Sequence, residues 1–185
     1  MKETKLVSGV QELKAVAHPL RVRLLAALRE HGPATATELA KRFQTDTGST
    51  SYHLRKLAQS GFVAETDDPG GHHRARRWQA IHKTTSWSNT EMAASFEGRE
   101  VVSFMHRRQV EALAESVQRF EAGLAGLPPE WVEASGIGDL LVKLTARSLD
   151  ELWERFYADL DRLSKRDALD EGARPVSIVV AGLPR

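Results

Sequence analysis

A mainly α fold with one small β-hairpin follows from three observations. Apolar residues recur at helical spacing over most of the chain, two helix-capping signals flank a short polar stretch near residue 45, and one alternating segment is broken by Asp67-Asp68-Pro69-Gly70-Gly71. The 185 residues are 41% hydrophobic and 28% charged, with a mean hydropathy of −0.39, so the chain can bury a core in one or two small domains.

The elements can be justified in order. Residues 10 to 17 read as a helical lead-in. His18-Pro19 then opens a stronger helix, because proline at the first helical position gives up only an N–H that would be unpaired there anyway. Leu20, Leu24, Leu25 and Leu28 form its apolar stripe, Arg21, Arg23 and Arg29 lie off it, and Gly32-Pro33 closes it. Thr35-Ala36-Thr37-Glu38 is a capping box, and the short helix it starts buries Leu39, Ala40 and Phe43 before ending near Gln44. Either Asp46 or Thr47 can cap the next helix, which runs to Ser60-Gly61. Phe62 to Thr66 and Arg74 to Ile81 read as the strands of a hairpin around the Asp-Asp-Pro-Gly-Gly turn, with Trp78 as its anchor in the core. Helix, helix, helix-turn-helix and hairpin in this order are the plan of a winged helix.

Thr84 to Asn89 reads as a polar connector carrying Trp87. A long helical stretch follows from about Thr90 to Gly126, with Gly98 as a candidate interruption and Pro128-Pro129 as the stop. Val110, Leu113, Val117, Phe120, Leu124 and Leu127 alternate by three and four, the spacing of a helix packed lengthwise on another. Leu149, Leu152, Phe156, Leu160 and Leu163 repeat the pattern on a helix opened by Thr145 or by Ser148. Leu140 to Leu144 and Val176 to Val180 are short apolar runs that could pair as strands. The expected domains are residues 1–83, a winged helix-turn-helix, and residues 84–185, a helical dimerisation and effector region.

Charge supports this division. The net charge is +1, but residues 1–83 hold 14 Lys plus Arg against 8 Asp plus Glu, and residues 84–185 hold 12 against 17. A basic half of +6 is joined to an acidic half of −5. The absence of cysteine excludes disulfides, thiolate metal sites and a Cys nucleophile. No run approaches the ~18 to 20 apolar residues of a membrane span, and Met1 to Lys5 leads into no apolar signal core, so a cytoplasmic protein is expected. Gly136-Ile137-Gly138 is too short for a phosphate loop, and no nucleophile motif is present. The chain is expected not to be an enzyme, and to need no metal and no cofactor.

The chemistry concentrates in residues 47–60. Leu54, Leu57 and Ala58 share one helical face with Thr50 and Ser51, while Gly48, Ser49, Tyr52, Lys56 and Gln59 occupy the other and His53 and Arg55 flank it. A face that is small at its N-terminal end and rich in hydrogen-bonding groups suits a DNA groove. Candidate DNA contacts are Gly48, Ser49, Thr50, Tyr52, His53, Arg55, Lys56 and Gln59, with Arg74, Arg76 and Arg77 of the hairpin as phosphate contacts. His53 could instead pack locally, and the Tyr52 ring could lie over the domain with only its hydroxyl reaching DNA. His72 and His73, near Asp67 and Asp68, read as a solvated turn rather than a metal site, and His106 as an interface histidine.

Ala17-His18-Pro19-Leu20-Arg21, Glu38-Leu39-Ala40 and Ser51-Tyr52-His53-Leu54-Arg55-Lys56-Leu57 running into Gly61-Phe62-Val63 together resemble the winged helix-turn-helix domain of ArsR-type bacterial transcriptional regulators over residues 12–82. The resemblance implies a dimeric regulator of double-stranded DNA whose second motif helix enters the major groove and whose wing touches backbone or minor groove. Cysteine-based metal sensing, common in that family, is excluded here, and a paired His and carboxylate site finds only His106. The expected function is that of a transcriptional regulator, acting as a repressor, bound as a homodimer to a pseudo-palindromic operator. Val110, Leu113, Val117, Phe120 and Leu124 are the expected dimer seam. A small apolar effector could be enclosed by the aromatics after residue 84, Trp87, Phe96, Trp131, Trp153, Phe156 and Tyr157, although a purely structural core explains them as well. The competing function is a protein-interaction adaptor whose winged helix no longer binds DNA, and the basic charge of residues 1–83 speaks against it.

Overall fold

A computed structural model describes residues 2–66 and 76–184. They cluster into two compact units, Met1–Arg108 and Gln109–Arg185. The change of charge sign near residue 83 therefore falls inside the first unit.

The first unit contains β1 (Lys2–Val7), α1 (Val10–Val16), α2 (Pro19–His31), β2 (Ala34–Thr35), α3 (Ala36–Phe43), α4 (Thr47–Gln59), β3 (Val63–Thr66), β4 (Arg77–Ala80), β5 (His82–Trp87), α5 (Asn89–Ala93) and the start of α6 (Phe96–Gly123). His18 caps α2, its Nδ1 accepting from the Leu20 N–H at 3.2 Å, with Pro19 in the first turn. Leu24, Leu25 and Leu28 are buried as the stripe requires. The capping box on α3 is complete: Thr35 Oγ1 accepts from the Glu38 N–H at 3.1 Å, and Glu38 Oε2 accepts from the Thr35 N–H at 2.6 Å. Gln44 adopts a left-handed conformation, φ 52°, and its N–H bonds back to the last turn of α3, which turns the chain within three residues. Asp46, rather than Thr47, caps α4, its carboxylate accepting from the Ser49 N–H at 2.6 Å. Gly61, φ 67°, ends the motif at a position where a side chain would be strained.

The hairpin strands are shorter than expected, and β4 is central, paired antiparallel with β3 on one side and with β2 on the other. Trp78 and Ala80 point inward from β4, and Trp78 is buried against the helices as its anchor role requires. A second sheet corrects the expected polar connector. β5 lies parallel to β1, with Thr4 opposite Thr84 and Val7 opposite Trp87. Arg29 fastens this ribbon to α2, donating to the His82 carbonyl at 2.9 Å and to Thr85 Oγ1 at 2.8 Å. Burial draws its pKa down to about 10, leaving it charged at neutral pH.

The expected helix from Thr90 breaks earlier than Gly98. α5 is capped by Ser88, and Ser95 Oγ accepts from the Gly98 N–H at 2.9 Å to start α6. Gly98 is buried, and a Cβ there would collide with the Met92 carbonyl oxygen. Its role is close approach of two helices, not interruption.

The second unit comprises the remainder of α6, a 3-10 turn (Leu124–Gly126), α7 (Pro129–Ala134) and α8 (Ala146–Arg166). Thr145, not Ser148, caps α8. Neither Leu140 to Leu144 nor Val176 to Val180 forms a strand; both runs are irregular, and the expected pairing is absent among the described residues. Ser177 approaches α6 through Ser116, Oγ to Oγ 3.2 Å, while Gly182 lies against Trp153 and Leu149 of α8. None of the described residues in this unit is buried. No helix among the described residues is long and apolar enough to cross a membrane.

Candidate nucleic-acid interface

The helix-turn-helix geometry leaves one face of α4 outward. Its inner face buries Leu54 and Leu57, and Leu54 and Leu57 lie among Leu13, Leu24 and Leu28 in the same core. On the outer face Gly48, Tyr52, Arg55, Lys56 and Gln59 are exposed and Ser49 is half-exposed. The Lys56 ammonium lies 5.8 Å from the Tyr52 ring centroid, so the aromatic ring and the cation form one small platform. These groups can donate to phosphates and base edges from a single helix.

Thr50 is a correction. It is fully buried, and its hydroxyl donates to the Asp46 carbonyl at 2.9 Å, so it stabilises the first turn of α4 and offers nothing to DNA. The β-branched side chain lies where the helical wheel had placed it, on the core side.

His53 takes the packing alternative. Its ring lies 4.3 Å from that of His18 and 5.2 Å, edge-on, from that of Tyr52. Its Nδ1 is buried with no hydrogen-bond partner among the described residues. Burial holds the His53 imidazole below its usual pKa, and the neighbouring His18 and Arg21 depress it further; burial and Arg21 do the same to His18. The Arg21 guanidinium donates to the Lys14 carbonyl at 3.1 Å from the other side. Sequence reasoning missed this cluster. His18 and His53 are 35 positions apart, and no local pattern joins them.

In the wing, Arg74 lies outside the described residues, as do His72, His73, Asp67 and Asp68. Arg76 is exposed and pairs with Glu65 across the hairpin, Nε to Oε2 3.0 Å. Arg77 is a second correction. It donates to the Pro33 carbonyl at 2.6 Å and sits 3.5 Å from Glu38, so it ties the wing to the capping box of α3 instead of projecting to a phosphate. Glu38 is held below the usual carboxylate pKa, first by the Thr35 N–H and further by Arg77.

Among the seam residues, Val110 and Leu124 are exposed, while Leu113, Val117 and Phe120 are half-buried. His106 is exposed, its ring 6.4 Å from that of Trp87. Phe96 is exposed; Trp153, Phe156 and Tyr157 meet edge to face along α8, and Trp131 receives the Arg174 guanidinium over its ring. Among the described residues no group of three His, Asp or Glu could hold a metal ion.

Capped α3, left-handed turn, outward-facing α4 and a three-stranded wing define a winged helix-turn-helix domain, a DNA-binding class. Residues 16–66 match the family model described as a helix-turn-helix domain. Over these residues the chain carries a helix-turn-helix domain. No curated protein sequence matches the chain. Among solved structures, HlyU from Vibrio cholerae is similar at 21% identity over 53% of this chain and 86% of its own, with a TM-score of 0.34. An ArsR family transcriptional regulator matches at 24% identity over 57% of this chain and 90% of its own, TM-score 0.32. The adhesin competence repressor of Streptococcus pyogenes matches at 12% identity over 79% and 81%, TM-score 0.35. Likenesses of this extent leave the functional argument to the residues themselves.

Proposed function

We propose that the chain is a repressor that binds a pseudo-palindromic operator as a homodimer. The outward face of α4 carries this reading: Ser49, Tyr52, Arg55, Lys56 and Gln59 lie together on a helix whose other face is buried. In this reading α4 enters the major groove, Arg55 and Lys56 contact bases or phosphates, and Arg76, with Arg74, contacts the backbone. Two copies would place their reading helices ~34 Å apart, one turn of the duplex.

Residues 84–185 provide the dimer contact in this reading, with Val110, Leu113, Val117, Phe120 and Leu124 of α6 at its centre. Support comes from residues 109–184, where apolar side chains are numerous and none is buried within one copy. A small apolar effector bound in the same region would act by shifting the population of dimers whose reading helices match the groove spacing.

The test is binding of the full chain to mixed-sequence duplex DNA as salt is raised. Affinity should fall linearly on a log–log scale as counterions are displaced. No binding at low salt would remove the proposal and leave an interaction module in its place.

A further inference from the structure

We propose that His18 and His53 form a proton-sensitive brace that positions the reading helix, so that acidification uncouples α4 from α2 and erases sequence discrimination. The proposal rests on α4 being the DNA-reading helix, and it assigns to two residues outside the exposed face the task of holding that face in place.

Three geometric facts carry it. His18 is the N-cap of α2, and its Nδ1 acts as a hydrogen-bond acceptor for the Leu20 N–H. An imidazolium has no acceptor nitrogen, so protonating His18 abolishes the cap. The His18 ring lies tilted at 4.3 Å against that of His53, in the second turn of α4, and His53 in turn meets the Tyr52 ring. The brace thus runs from the start of α2 through two imidazoles to an aromatic residue on the reading face. Finally, His53 Nδ1 is buried without a partner among the described residues, so a proton placed there meets no acceptor among them.

The surrounding charges point the same way. Arg21 of α2 acts on both rings with the same sign as an added proton. On α4 the Lys56 ammonium lies by the far ring of the platform. From α1, Glu12 is paired with Lys5 and Lys14 with Glu97, and neither acts on the imidazoles. Among the described residues no carboxylate compensates a charge on either histidine. Both imidazoles are held below the ordinary value of 6.5, so the neutral brace is complete above about pH 6.5 and is lost as pH falls from there through the lowered folded values.

The experiment has a DNA-free arm and a DNA arm, both with the full chain at constant ionic strength. In the first, hydrogen exchange of the α4 amides is followed from pH 7.5 to 5.5 after correction for intrinsic exchange rates. Protection in the first half of α4 should fall about tenfold, the effect of one pKa unit, and His18→Asn/His53→Phe should remove the dependence. Asn keeps a capping acceptor and Phe keeps a ring, and neither titrates; His53→Gln serves as a second variant if Phe overpacks the site. In the DNA arm, duplexes selected from random sequence at pH 7.5 are compared with scrambled duplexes at each pH. The ratio of affinities, not affinity itself, should fall by about tenfold, because added positive charge strengthens binding to any duplex. Exchange that stays flat with pH, or a doubly substituted chain that loses discrimination as the native chain does, overturns the brace. A failure to select any duplex at pH 7.5 overturns the DNA reading instead, and the exchange arm still decides the brace.

Discussion

Residues 1–108 and residues 109–185 solve the same problem differently. The first stretch buries Phe62, Trp78 and a set of leucines from four helices within one copy, and it caps its helices with His18, Thr35, Asp46 and Ser88. The second has an equally apolar pattern on α6 and α8, yet every described side chain from residue 109 onward keeps contact with solvent; Leu140 is 91% exposed and Leu169 96%. The contrast teaches that periodic leucines specify a helix face but not its cover. In one stretch the cover is supplied by the chain's own fold. For the other, a second copy is the cover that the proposed function supplies.

The largest expected effect separates the two directly. Leu113→Asp with Val117→Asp should raise the dimer dissociation constant at least about a hundredfold, as uncompensated charges in an apolar contact cost several kcal/mol. Analytical ultracentrifugation should then find monomers at concentrations where the proposed dimer of the native chain is populated, with the circular dichroism of the winged helix retained. An unchanged sedimentation coefficient would break the comparison. Phe62→Ala belongs to the self-sufficient stretch and should cost about 3–5 kcal/mol in urea unfolding, with a loss that does not depend on protein concentration. Gly98→Ala forces a side chain against the Met92 carbonyl and should cost about 1–3 kcal/mol, read from the same midpoint shift.

Smaller effects sharpen the wing. Arg77→Ala should cost about 1 kcal/mol through the hydrogen bond to Pro33 and leave the salt dependence of DNA binding unchanged. Arg76→Ala should change stability by under about 0.5 kcal/mol and reduce the salt slope by about one phosphate. The smallest effect concerns acid. Glu38 has a lowered pKa, so its contribution is present above about 4.5 and is lost as pH falls through the lowered value. Glu38→Gln should flatten that part of the stability curve, measured by thermal unfolding between pH 5 and 3.

Much of the first stretch was legible because its signals are local. Pro19 after His18, the Thr35 and Glu38 pair and Gly61 after α4 each act within one turn of helix and stand where the sequence placed them, and the cap of α4, left open between Asp46 and Thr47, falls to Asp46. β1 was not legible. Its partner β5 is 80 residues away, and Thr4 and Thr84 carry no apolar alternation to announce a strand. Arg77 was misjudged because composition makes an arginine in a wing look like a phosphate contact, whereas the backbone carbonyl that takes it belongs to Pro33 in another segment. Leu140 to Leu144 shows the converse error. Its apolar residues are strand-competent, but a strand also needs a neighbouring edge, and among the described residues none pairs with it.

In the proposed function the outward face of α4, presented twice by a dimer, reads DNA. Selection of bound duplexes from a random pool by the full chain tests it most directly. Enriched sites should consist of two inverted half-sites whose centres lie about 10 base pairs apart, one helical turn, with enrichment abolished by Lys56→Ala and Tyr52→Ala together. Enrichment of a single asymmetric site, or none at low salt, would contradict it.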